Sequence, residues 1–176
     1  MKISKTPIVG AFLIELEPFC DNRGIFAEGF VKQKLASQGI DFEIQRVNLV
    51  RNEKAGTTRG MHWQSEPWGQ GKIVMAASGR IFDAIVDVRR WSPTYGKSYS
   101  VTLFPQANAL FIPRGVAHGC QALEDGASLI YLVDNEYKPE AERGITPVGA
   151  VEWPLPLVNV APRDLSWPTL EESGHA

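Results

Sequence analysis

A chain of 176 residues, 44% of them hydrophobic, is the size of one domain and has enough apolar content to build its own core. Its net charge of -2 comes from acidic and basic residues interspersed along the chain, which excludes the basic stripe of a nucleic-acid or anionic-membrane binder but leaves room for a few clustered cations to hold a small anion. We expect one domain over 1–176, with roughly the last ten residues disordered, no nucleic-acid partner and no membrane partner.

The N-terminal MKISKTPIVGAFLIELEP lacks the apolar run and small-residue cleavage site of a signal peptide, and no stretch of about 18 apolar residues occurs, so a cytoplasmic protein is expected. Cys20 and Cys120 form no CxxC pair and are expected to stay reduced.

In chain order, a strand is predicted around Ile8 to Leu16. The turn chemistry of Asp21-Asn22-Arg23-Gly24 follows, where Arg23 and Glu28 read equally well as a solvated turn or as ligand contacts. Val31 to Gln38 is predicted helical, closed by Gly39. Strands follow over Phe42 to Val50, Gly71 to Ala77, Arg80 to Arg89, Ser98 to Leu103, Leu110 to Ile112, Cys120 to Leu123 and Ser128 to Asp134, joined by short turns. Many short strands at even spacing point to an all-β sandwich or barrel.

The stretch Thr57 to Ile73, TTRGMHWQSEPWGQGKI, packs two basic side chains, a histidine and two tryptophans between glycines. If extended, it alternates, with Gly60, His62 and Gln64 on one face and Arg59, Met61 and Trp63 on the other. In Arg80 to Arg89, Phe82, Ala84, Val86 and Val88 share one face. Ile81, Asp83, Ile85, Asp87 and Arg89 share the other, which is either a solvated face or a barrel lining with a polar site.

Leu110 to Gly119 contains Pro113-x-Gly115-x-x-His118, a strand, a tight turn and a histidine re-entering the sheet. With Gly60-x-His62 upstream, it resembles the paired motifs of the cupin jelly roll. Metal-binding cupins carry an HxH pair and a downstream glutamate, whereas Gln64 stands here at the partner position. Two histidines make neither a closed nor a catalytic metal site, so no metal or cofactor is expected. His62 is then free for acid/base work or is a satisfied structural histidine.

The resemblance extends further. Phe19-x-Asp21-x-Arg23-Gly24-x-Phe26-x-Glu28-x-Phe30, Arg59-Gly60-Met61-His62-Trp63-Gln64, Gln70-Gly71-Lys72, Asp83-x-x-Val86-Asp87-x-Arg89, Ile112-Pro113-x-Gly115-x-Ala117-His118-Gly119 and Tyr137-x-Pro139-x-x-Glu142-x-Gly144-Ile145 together resemble the dTDP-4-dehydrorhamnose 3,5-epimerase family over roughly residues 15 to 165. The resemblance implies an all-β cupin jelly roll and a metal-free homodimer. It also implies inversion of C3, C5 or both in a nucleotide-activated 4-keto-6-deoxy sugar.

Such inversion needs a base, a stabiliser for the enolate and an acid on the opposite face. The resemblance assigns these to His62 as base, Asp164 as its carboxylate partner, Lys72 at the developing oxyanion and Tyr131 as acid. Tyr131 shares a strand face with Leu129 and Val133. Arg23, Glu28, Asn48, Arg59, Gln64, His118, Glu142 and Arg163 would hold sugar and diphosphate, with Tyr137 stacking on the base.

The chain departs from the family pattern at Arg46-Val47-Asn48, where glutamine is usual two residues before the asparagine, and in Leu49 to Lys54 beyond it. Arg46 would meet a phosphate or compensate an internal carboxylate. These departures bear on which nucleotide and sugar are used, a CDP-sugar or another dTDP-deoxysugar being the alternatives. A metal-dependent cupin and a non-catalytic nucleotide-sugar module are the competing classes.

Overall fold

The computed structural model describes residues 1–173. Thirteen strands fall largely into two sheets. The strands are β1 (Lys2–Lys5), β2 (Phe12–Glu15), β3 (Phe19–Asp21), β4 (Gly24–Phe26), β5 (Arg46–Arg51), β6 (Thr58–Gln64), β7 (Lys72–Ser78), β8 (Ile81–Asp87), β9 (Ser98–Leu103), β10 (Asn108–Ile112), β11 (Val116–Ala122), β12 (Ser128–Val133) and β13 (Glu142–Gly144). Three short helices, α1 (Lys32–Ala36), α2 (Pro162–Ser166) and α3 (Leu170–Ser173), lie outside them. Of the tail expected to be disordered, Leu170–Ser173 is helical and 174–176 lie outside the described residues.

One sheet runs β1-β2-β10-β7-β12-β5 and the other β13-β6-β11-β8-β9, all named pairs being antiparallel. From β5 to β13, strands consecutive in sequence thus alternate between the sheets except at the β8–β9 hairpin, as in the expected jelly roll. Alternation along each strand builds three layers. Val74 and Ala76 of β7, Ile81 and Ile85 of β8, Val116 and Cys120 of β11 and Leu129 of β12 point between the sheets. Ile73 and Leu132 face outward, under α1 and Phe42. Ala84, Val86 and Ala117 back onto Ile145 and Trp153. Both faces of β8 are therefore buried, and its mixed face lines the barrel.

The first predicted strand starts too early: Ile8, Val9 and Gly10 form a turn closed by Thr6 N–H to Ala11 O, at 3.1 Å, and the polar-flanked β1 precedes it. Strand β5 begins at Arg46 rather than Phe42, because Phe42 is buried against Leu35 and Phe111 as a plug outside the sheet. The predicted helix is Lys32–Ala36, with Gly39 at a φ of 76° in the turn that follows.

Candidate active site

One cavity of about 610 Å³ opens between the sheets. From the five-stranded sheet it receives Arg59 and His62 of β6 and His118 and Cys120 of β11. From the six-stranded sheet come Lys72 of β7, Tyr131 and Leu129 of β12, and Arg46, Asn48 and Val50 of β5. Tyr137, Glu142, Arg163 and Asp164 complete the rim.

Arg59 corrects the simple alternation, which sends it to the face opposite His62. Strand β11 pairs His118 with His62 but Cys120 with Arg59, so a register shift inserts one extra residue at Gly60-Met61 and turns both Arg59 and His62 inward. Gly60 sits at a φ of 103° in this bulge, while Met61 and Trp63 pack outside. Arg59 is steadied by its Nε, which donates to Oδ1 of the buried Asn52 at 2.8 Å.

Asp164, in the short helix α2, is 3% exposed and binds two parts of β6 at once. Its Oδ2 accepts from Gly60 N–H at 3.1 Å, and its Oδ1 lies 2.8 Å from His62 Nε2. Burial works to raise the Asp164 carboxyl, but the bonds from His62 and Gly60 and the nearby Arg163 outweigh it and hold the group below the ordinary carboxylate range. An ionised carboxylate only accepts, so Nε2 of His62 carries the hydrogen and Nδ1 is the basic nitrogen.

Across the cavity, burial raises the Tyr131 phenol, opposed by the charges of Arg46 and Arg59. Burial also pulls the Lys72 ammonium down to about 8, against the attraction of Asp83 and Glu142. Its Nζ donates a long bond, 3.4 Å, to the His62 carbonyl. Cys120 beside it is pushed up to about 12 by burial and the Asp83 charge, so it is a thiol and no nucleophile.

At the rim, Glu142 Oε2 accepts from Tyr137 OH and from Arg163 Nη1, each at 2.8 Å. This bond to Glu142, with burial, raises the Tyr137 phenol and fixes its ring.

Three residues of the expected set lie elsewhere. Gln64 is buried with its amide spent on the main chain: Nε2 donates to Glu136 O at 2.9 Å, and Oε1 accepts from Lys138 N–H at 2.7 Å. It shapes the loop carrying Tyr137 and does not reach the cavity. Arg23 pairs with Asp21 in the projecting β3–β4 hairpin, and Glu28 pairs with Lys34, both away from this cavity.

Sequence reasoning gave no role to Asn52 and left Asp83 on a face that was either solvated or a barrel lining. Asp83 is fully buried and lies 2.8 Å from His118 Nε2 through its Oδ1, forming a second histidine–carboxylate pair. The signal was its place on the inward face of β8, directly beside β11. Among the described residues no three His, Cys, Asp or Glu side chains converge as a metal site would.

A part-buried histidine–aspartate pair and a tyrosine on opposing sheets of a jelly roll, with a buried lysine and a rim of arginines, define a cupin-class site with the groups needed to move protons on an anionic ligand. The model of the dTDP-4-dehydrorhamnose 3,5-epimerase family matches residues 5–172; the chain belongs to that family and is an epimerase. It is 36% identical to dTDP-4-dehydrorhamnose 3,5-epimerase of Shigella flexneri over 94% of each chain. Among solved structures it resembles the 4-keto-6-deoxy sugar epimerase from the novobiocin gene cluster of Streptomyces spheroides, at a TM-score of 0.93 and 31% identity, covering 99% of this chain and 90% of that one. The dTDP-6-deoxy-D-glucose-3,5-epimerase of Legionella pneumophila, solved in complex with dTDP-4-keto-L-rhamnose, is similar at a TM-score of 0.89 and 34% identity, covering 97% and 93%.

Proposed function

We propose that this chain epimerises a nucleotide-activated 4-keto-6-deoxy sugar of the dTDP-4-dehydro-6-deoxyglucose type at the carbons flanking the ketone. His62 is the base, Asp164 holds it in one tautomer and balances the imidazolium, Lys72 stabilises the enolate, and Tyr131 returns a proton to the opposite face. The observation that carries this reading is the arrangement of His62 on β6 and Tyr131 on β12, opposite walls of one cavity, which suits attack on one ring face and delivery to the other. Asn48, Arg59, His118, Glu142 and Arg163 hold sugar and diphosphate, and Tyr137 is the platform for the base. The working form is a cytoplasmic homodimer whose β3–β4 hairpin carries Arg23 and Glu28 to the partner's cavity. Among the described residues no helix is long and apolar enough to cross a membrane.

The test is deuterium uptake at C3 and C5 in heavy water, followed by NMR. The wild-type protein should exchange and invert. Tyr131→Phe should exchange with retention, because His62 can return the proton to the face it left, while epimer formation falls steeply. His62→Ala should do neither, and wild-type exchange in that variant would overturn the assignment of the base.

A further inference from the structure

Four arginines line the cavity, and three of them are engaged. Arg51 pairs with Glu53 at 3.1 Å, Arg163 with Glu142 at 2.8 Å, and Arg59 donates through Nε to Asn52. Among the described residues the Arg46 side chain makes neither ion pair nor hydrogen bond; its guanidinium stands 5.7 Å from the centre of the Tyr137 ring. The second sequence reading, compensation of an internal carboxylate, thus has no partner to act on.

Its position along the cavity identifies what it meets. On β5, Asn48 lies opposite Tyr131 and Arg46 opposite Val133, one inward step nearer the loop that carries Tyr137. Arg46 therefore stands between the tyrosine assigned to the sugar and the tyrosine assigned to the base, near enough to the first for its charge to act on the phenol. In a nucleotide sugar the groups between base and hexose are the ribose and the diphosphate. A guanidinium with unspent donors there matches the diphosphate.

We propose that Arg46 is a specificity-determining residue that binds the ligand's diphosphate, at a position where the resembled family carries a neutral glutamine. The assignment rests on the proposed function for the orientation of the ligand. A charge-assisted contact makes affinity depend more on phosphate, and on salt, than a glutamine would.

The experiment is calorimetric titration of the wild-type protein, Arg46→Gln and Arg46→Lys with inorganic pyrophosphate, dTDP and thymidine, at low and moderate salt. Arg46 is an exposed edge-strand residue, so both variants should fold. Arg46→Gln should weaken pyrophosphate and dTDP roughly tenfold or more, with thymidine nearly unchanged and a flatter salt dependence; Arg46→Lys should recover part of the loss. Equal losses for thymidine and dTDP would mean that Arg46 only braces Tyr137, and would overturn the proposal. So would unchanged pyrophosphate affinity, or a wild-type protein that binds no pyrophosphate. Failure of the epimerase reading looks different: Arg46-dependent pyrophosphate binding with no deuterium uptake into 4-keto sugars.

Discussion

His62 and Asp164 meet at 2.8 Å, and a carboxylate in that position decides which imidazole nitrogen is basic. Asp164→Asn keeps the shape but offers an amide that can donate, so the wrong tautomer becomes available. Turnover should fall by roughly two to four orders of magnitude, with dTDP affinity nearly unchanged. Steady-state kinetics with a separate dTDP titration reads the two apart. Lys72 makes a different trade. Burial lowers its ammonium from 10.5 to about 8, so the unfolded chain binds more protons throughout that window and stability rises with pH across it. Below pH 8 the buried charge costs about 3 kcal/mol. Lys72→Met should therefore stabilise the protein at pH 7 by on the order of 1–3 kcal/mol, a gain that fades toward the upper end of the window, while removing activity. Denaturant unfolding at several pH values checks the first part. In the wild-type protein, kcat/KM should decline on the alkaline side near pH 8, as Lys72 loses its proton.

At the scale of elements, β6 carries most of the site's precision. A Cβ on Gly60 would lie 2.5 Å from His118 O and 2.6 Å from Gly119 Cα, on a backbone whose φ of 103° already disfavours any side chain. Gly60→Ala should lower stability by on the order of 2–4 kcal/mol, roughly 5–10 °C in Tm by calorimetry. It should also reduce turnover more than Tm alone would explain, since Arg59 and His62 share the bulge. The same element shows where sequence reading stops. Strands β7, β8, β9 and β12 were legible because period-two alternation with a buried face fixes them within a residue or two. From the strand pattern alone, Tyr131 shares a face with Leu129 and Val133, whereas the face of Asp83 reads equally as solvated or as barrel lining. Bulges break that period without altering composition, so Arg59 reads as outward although it faces the cavity. Strand β13 and helix α2, short and built on long-range pairing, leave no periodic trace; Asp164 was legible only through family resemblance, and alternation gives no sign that the Gln64 amide is spent on main-chain groups of Trp68, Glu136 and Lys138.

At the scale of the whole molecule, the single chain leaves unusual surface uncovered. Phe19, Ile25 and Phe26 of the β3–β4 hairpin are each more than 60% exposed, and the edge strand β5 turns out Leu49 at 76%. An apolar projecting hairpin and an open apolar edge are features that a partner subunit normally covers. If two copies pair so that each hairpin reaches the other's cavity, Arg23 acts in trans, and mixing damaged subunits reveals it. An Arg23→Ala chain keeps its own His62, and a His62→Ala chain keeps an intact hairpin. In a mixed dimer the Arg23→Ala chain's cavity would receive the intact hairpin and become a complete site, while the other site carries both lesions. Co-refolding equal amounts should give half mixed dimers with one working site of two, or about a quarter of wild-type activity from two nearly inactive parents. If Arg23 served its own subunit, both sites of the mixed dimer would stay damaged and activity would not exceed the parental mean. Leu49→Asp sets the companion control: it should shift the protein toward monomer in sedimentation velocity and depress activity together, because the cavity then lacks the hairpin of a second copy.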